Sequence, residues 1–167
     1  MFTRFPDVTH TQQSGLQVLE FVCGGQRFAV PLACVRRAVF SARPQALPGA
    51  SEIVLGVLDL GGETVTVLDF GLRAGCGPTV IRPAQQFLIV DLQGFLCAFV
   101  VDAINGPGEA AGGAHRWPAG LGSAPFIDGV VRLPDGLCLV VDPARFLFEH
   151  ERAQLAQALT EVSGERH

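Results

Sequence analysis

At 167 residues the chain is long enough for one compact domain or two small fused subdomains. It is 49% hydrophobic and 17% charged, with a mean hydropathy of +0.36, yet no apolar run approaches the ~20 residues of a membrane-spanning helix. The net charge is −4, and every basic residue is an arginine, scattered apart from Arg36-Arg37, which excludes the basic stripe of a nucleic-acid surface.

Residues 1–15 are polar and without periodicity and read as a loose tail. With no basic stretch followed by an apolar core, they do not read as a secretory signal. Leu16 to Cys23 is a strand, Gly24-Gly25 turns the chain, and Arg27–Val30 returns it as a hairpin. Pro31 to Val35 is expected as one helical turn and Arg36 to Ser41 as extended chain, before a loop bracketed by Pro44 and Pro48. Ile53–Leu60 and Glu63–Leu68 form a second hairpin, and Asp69 is placed to cap a short helix through Arg73. The Gly- and Pro-rich stretch from Ala74 to Ala84 is the expected boundary between two modules. Gln86–Leu92 and Phe95–Val101 form a third hairpin about Gln93-Gly94, followed by an excursion from Ala103 to Gly122 that is expected to be irregular. It carries the only tryptophan, Trp117, which reads as a plug for its own core rather than a partner anchor. After a fourth hairpin, Asp142-Pro143 predicts a helix over about 143–162, with Phe148, Leu155, Leu159 and Val162 at helical spacing.

The hairpins repeat. Leu55 to Arg73 returns as Asp128 to Phe146 at a constant offset of 73 residues, pairing Gly56 with Gly129, Leu60 with Leu133, Val67 with Val140 and Asp69 with Asp142. The opening hairpin returns more weakly at an offset of 69, pairing Gly25 with Gly94, Ala29 with Ala98 and Val35 with Ile104. Two similar β modules packed together are the simplest reading.

Little in the chain suggests chemistry. The glycine clusters lack the strand-to-helix setting that phosphate binding needs. Asp69 and Asp142 recur at equivalent repeat positions, where capping explains them. The cysteines Cys23, Cys34, Cys76, Cys97 and Cys138 contain no C-x-x-C pair and read as small hydrophobes of a reducing cytoplasm. The histidines His10, His115, His150 and His167 are dispersed without ligand spacing. No catalytic residue, cofactor or metal is expected.

The order of segments resembles the CheW-like domain, the adaptor of bacterial chemosensory systems, from roughly Leu16 to Leu147. The resemblance rests on the hairpin Phe21–Val30, on Val35-Arg36-Arg37-Ala38-Val39, and on Gly56-Val57-Leu58-Asp59-Leu60-Gly61-Gly62. It continues through Val65-Thr66-Val67-Leu68-Asp69-Phe70, through Gly94 to Asp102, and through Gly129 to Asp142. It implies a mainly β fold: two SH3-like five-stranded β-barrels around a shared core, the first over about 16–75 and the second over about 85–145, with a C-terminal helix. It also implies a cytoplasmic, non-enzymatic scaffold. In that family, apolar strand edges engage the regulatory domain of a CheA-type histidine kinase, and a groove between the barrels takes the chemoreceptor cytoplasmic tip. Nucleic acid and membrane insertion form no part of it. Carried onto this sequence, the partner-binding residues are Val35, Arg37, Val39, Gly56, Leu58, Leu60, Gly61 and Val65. The chain departs from the family where Gly61 replaces an arginine and Arg37 an acid, while the core pattern survives. Altered partner choice on a retained fold is the expectation, for instance in a pilus-linked assembly without receptor coupling. A small ligand-binding β-barrel is the remaining alternative.

Overall fold

The computed structural model describes residues 16–110, 115–116, 124–134 and 136–164. The tail, Trp117 and Asp135 of the fourth turn lie outside the described residues. Eleven strands follow in order: β1 (Leu16–Cys23), β2 (Gln26–Pro31), β3 (Val35–Phe40), β4 (Val54–Leu60), β5 (Glu63–Leu68), β6 (Gln86–Asp91), β7 (Leu96–Val101), β8 (Ala103–Ala110), β9 (His115–Arg116), β10 (Ile127–Leu133) and β11 (Gly136–Val141). A 3-10 turn at Leu32–Cys34 leads into β3, a short helix at Phe70–Arg73 follows β5, and a helix at Glu149–Gly164 closes the chain.

The strands form a six-stranded sheet ordered β8-β1-β2-β11-β10-β9 and a five-stranded sheet ordered β3-β6-β7-β5-β4, each a small SH3-like barrel. The sheets cut across the boundary expected at 74–84. The opening hairpin β1-β2 belongs with β10-β11 from the far end of the chain. The third hairpin β6-β7 belongs with β4-β5 from the first half. Each sheet therefore joins the opening hairpin of one repeat to the central hairpin of the other, through the parallel contacts β2 with β11 and β5 with β7. The expected contiguous barrels over 16–75 and 85–145 are replaced by an exchange.

The repeat persists in the hydrogen-bond register. Phe28 faces Leu139 in one sheet and Cys97 faces Thr66 in the other, the same pair moved along by 69 and 73 residues. Val18 faces Gly108 as Phe87 faces Val39. The bulge at Asn105 of β8, opposite Glu20 and Phe21, answers the bulge at Arg36 of β3, the same position moved along by 69 residues. Even the bridge Gln45–Val57 has its counterpart in His115–Val130.

Alternation divides the side chains between cores. On β7, Cys97, Phe99 and Val101 face a core shared by both sheets, while Ala98 and Val100 face a smaller cluster inside the five-stranded sheet. The six-stranded sheet encloses its own cluster of Val18, Ala29, Val131, Leu133, Cys138 and Val140. Phe70 stands at the centre of the shared core, fully buried, with its ring centroid 4.9 Å from that of Phe28, 5.1 Å from Phe99, 5.2 Å from Phe21 and 5.5 Å from Phe146. It stays there because Asp69 caps its helix: the buried carboxylate accepts the Leu72 N–H at 3.0 Å and the Thr79 N–H at 2.9 Å.

Two expectations are corrected. The region from Ala103 is not irregular at its start, because β8 pairs with β1 along its length and backbone bonding does not depend on its Gly-Pro-Gly side chains. The C-terminal α-helix does not begin at Pro143. Asp142 accepts the Ala144 N–H at 3.0 Å and caps only a 3-10 turn, Pro143–Arg145. The chain then breaks so that Phe146 and Leu147 enter the shared core, and the helix restarts at Glu149. Glu151 secures that restart by accepting the Phe148 N–H at 2.8 Å, one half of a capping box.

Candidate partner-binding edges

Three of the expected contact residues lie on β3, an edge strand bonded only to β6. The bulge leaves Arg36 as the extra residue, and Arg36, Arg37 and Ala38 are exposed in succession. Val35 is half-buried against the shared core and Val39 against the inner cluster of the five-stranded sheet. Arg36 reaches Asp91 at 4.0 Å, a solvent-screened pair of small energetic weight. Among the described residues Arg37 makes no ion pair. Phe40 ends the strand 82% exposed, the most exposed large apolar side chain among the described residues.

The other candidates lie on β4 and β5, at the opposite end of the strand order. Leu58 and Leu60 are half-buried against the inner cluster. Asp59 accepts the Gly62 N–H at 2.8 Å and shapes the turn in which Gly61, at φ +64°, stands exposed with open space around it. Gly56 and Val65 are not on this surface. Val65 is fully buried. Gly56 is covered by Gln45, which is bonded in both directions to Val57 at 2.9 and 2.8 Å, and a side chain at Gly56 would collide with the Gln45 carbonyl. The sequence thus marked two edges of one sheet but did not separate the residues that face out from those that support them.

One cleft adjoins the β4 edge, and another opens beside the short helix at Phe70–Arg73. A groove of about 480 Å³ runs between Gln45–Pro48, β4 and the C-terminal helix, with Leu47, Val57, Leu58, Leu159 and Val162 as apolar walls and Asp59 and Glu161 as acids. A second, of about 400 Å³, opens where Ile53 and its repeat counterpart Phe126 approach each other. Its wall includes an ion pair between Arg73 and Glu151, each nine-tenths buried, with the Arg73 guanidinium 4.0 Å from the Phe148 ring centroid. The resemblance implied a groove between the barrels but, apart from Leu58, placed none of its expected contact residues in either cleft. The helical spacing of Leu155, Leu159 and Val162 signalled a docking helix but not the groove beside it.

Asp69 and Asp142 are occupied in capping, and no group of metal-ligating side chains occurs among the described residues. The cysteines are free thiols. Burial raises Cys97 well above the usual thiol range, and burial, then Asp142 and Asp91, raise Cys34.

A family model described as the CheW-like domain matches residues 17–151. The chain is 25% identical over 96 residues to a chemotaxis protein CheW of Rhizobium meliloti (strain 1021), a match spanning 58% of this chain and 62% of that relative. Its fold is similar to the crystal structure of the scaffolding protein TtCheW from Thermoanaerobacter tengcongensis, with a TM-score of 0.68 at 18% identity over 76% of this chain and 88% of that one.

Proposed function

The chain belongs to the CheW-like domain family, and from that premise we propose that it is a non-enzymatic, cytoplasmic adaptor coupling a CheA-type histidine kinase to chemoreceptors. The observation that carries this reading is the β3 edge, an unpaired ladder ending in the exposed Phe40. An open ladder with apolar side chains beside it accepts the strand edge of another β domain, and the kinase regulatory domain would supply one. The apolar groove along the C-terminal helix offers a helical receptor tip a place to bury one stripe of side chains. Among the described residues no helix is long and apolar enough to cross a membrane, so the membrane would be reached through the receptor.

A second reading has its own support. Arg37 is an exposed cation where the family pattern has an acid, and the turn at Gly61 lacks the family's arginine. A CheW-like scaffold serving a non-flagellar assembly, without receptor coupling, fits that change of charge. Titration calorimetry of the full chain against the kinase regulatory domain and, in parallel, receptor-tip peptides from the same organism separates the two. Binding to both is expected for the coupling adaptor. Binding to the kinase alone selects the second reading, and binding to neither rejects both.

A further inference from the structure

Two cysteines lie near each other where the end of β1 approaches the loop after the short helix. Cys23 ends β1, buried, with its Sγ 3.8 Å from the Val100 carbonyl of β7. Cys76 is exposed in the loop that leaves the short helix, where its N–H donates to the Gly71 carbonyl at 2.7 Å. Both thiols rest on glycines. The Cys76 sulfur occupies the space a side chain at Gly24, the residue after Cys23, would need, and the Cys23 sulfur lies 3.6 Å from where a Gly71 Cβ would stand. Gly24 is itself pinned, its N–H donating to Asp102 at 2.8 Å. The Cys76 side chain therefore packs against the residue directly after Cys23.

We propose that Cys76 is a thiol-oxidation site whose resolving partner is Cys23, so that a peroxide converts the pair into a disulfide tying the β1-β2 turn to the loop after β5. The Cys76 thiolate attacks the peroxide, the O–O bond breaks, and Cys76 becomes a sulfenic acid as the peroxide leaves as an alcohol or water. The Cys23 thiolate then attacks the Cys76 sulfur, the S–O bond breaks, and the hydroxide departs as water with the Cys23 proton. Two electrons pass from the thiols to the peroxide. Burial, then Asp102, Cys76 and Asp69, push the Cys23 thiol up to about 12, so the second step is the slow one. Below that value each pH unit raises its thiolate fraction about tenfold, and closure accelerates to match. The crosslink would join the six-stranded sheet to the connection leaving the five-stranded one, a fixed geometry beyond anything the adaptor reading requires.

The test treats the full chain with hydrogen peroxide and maps its peptides without reduction. The expected result is a Cys23–Cys76 crosslinked peptide, a mass lower by two hydrogens, reversal by a thiol reductant, and loss of the crosslink in Cys76→Ser. In Cys23→Ala, Cys76 should accumulate as a sulfenic acid that a 1,3-dione traps. Cys76 passing to sulfinic acid, pairing with Cys34, or joining a second molecule while Cys23 stays reduced would overturn the proposal. The readout involves no kinase or receptor, so its failure is distinct from failure of the adaptor reading.

Discussion

Phe70 shows most directly how one residue fixes this fold. It follows the capping carboxylate of Asp69 and meets Phe rings from both sheets and from the segment before the C-terminal helix. The capping role of Asp69 was legible in the sequence, since an acid after an apolar strand has few other uses. The central place of Phe70 was not, because nothing local distinguishes it from Phe87, which is equally buried but faces the smaller inner cluster. Phe70→Ala leaves a void that rigid strands on several sides cannot close, and is expected to cost about 3–5 kcal/mol in urea unfolding. A loss below about 1.5 kcal/mol, the range of well-tolerated swaps, would mean that the rings repack around the gap.

Strands were legible as elements because alternation of apolar and polar residues is local, and the repeat supplied the turns twice. The β3 edge illustrates the limit of that legibility. Its sequence reads as extended chain, but only the sheet order makes it an edge and turns Arg36, Arg37 and Ala38 outward. Arg37→Glu on this strand is expected to leave stability within about 0.5 kcal/mol, as exposed substitutions do. It should weaken binding to a kinase domain that presents an acid there, and the loss should shrink as salt is raised. Unchanged affinity in calorimetry would remove Arg37 from the contact. The C-terminal helix shows a different limit. Asp142-Pro143 is a sound start signal, but the demand of the shared core for Phe146 and Leu147 overrides it and moves the α-helix to Glu149.

The exchange of hairpins has a consequence for the molecule as a whole. Neither half of the chain contains a complete sheet: β1 and β2 rely on β11, while β6 and β7 rely on β5. Fragments covering 16–84 and 85–164 are therefore each expected to lack dispersed amide resonances in NMR. Mixed or co-expressed, they should recover the spectrum of the intact chain, since the shared core needs both. A folded, isolated 16–84 fragment would contradict the exchanged topology. Unfolding of the intact chain should be a single transition for the same reason, with near- and far-ultraviolet circular dichroism changing together.

The sequence by itself determined the four hairpins, their turns and the two repeats. These follow from short-range periodicity, from the conformational freedom of glycine, and from the residue types present. The family resemblance rested on the same local order. The tertiary structure alone decided which hairpin joins which, which apolar residues support an edge and which stand on it, and where Cys76 comes to lie against the residue after Cys23. An antiparallel hairpin buries the same face whichever neighbour it takes, so its sequence is silent on the choice. Only the simultaneous filling of one shared core by both halves selects the exchanged arrangement.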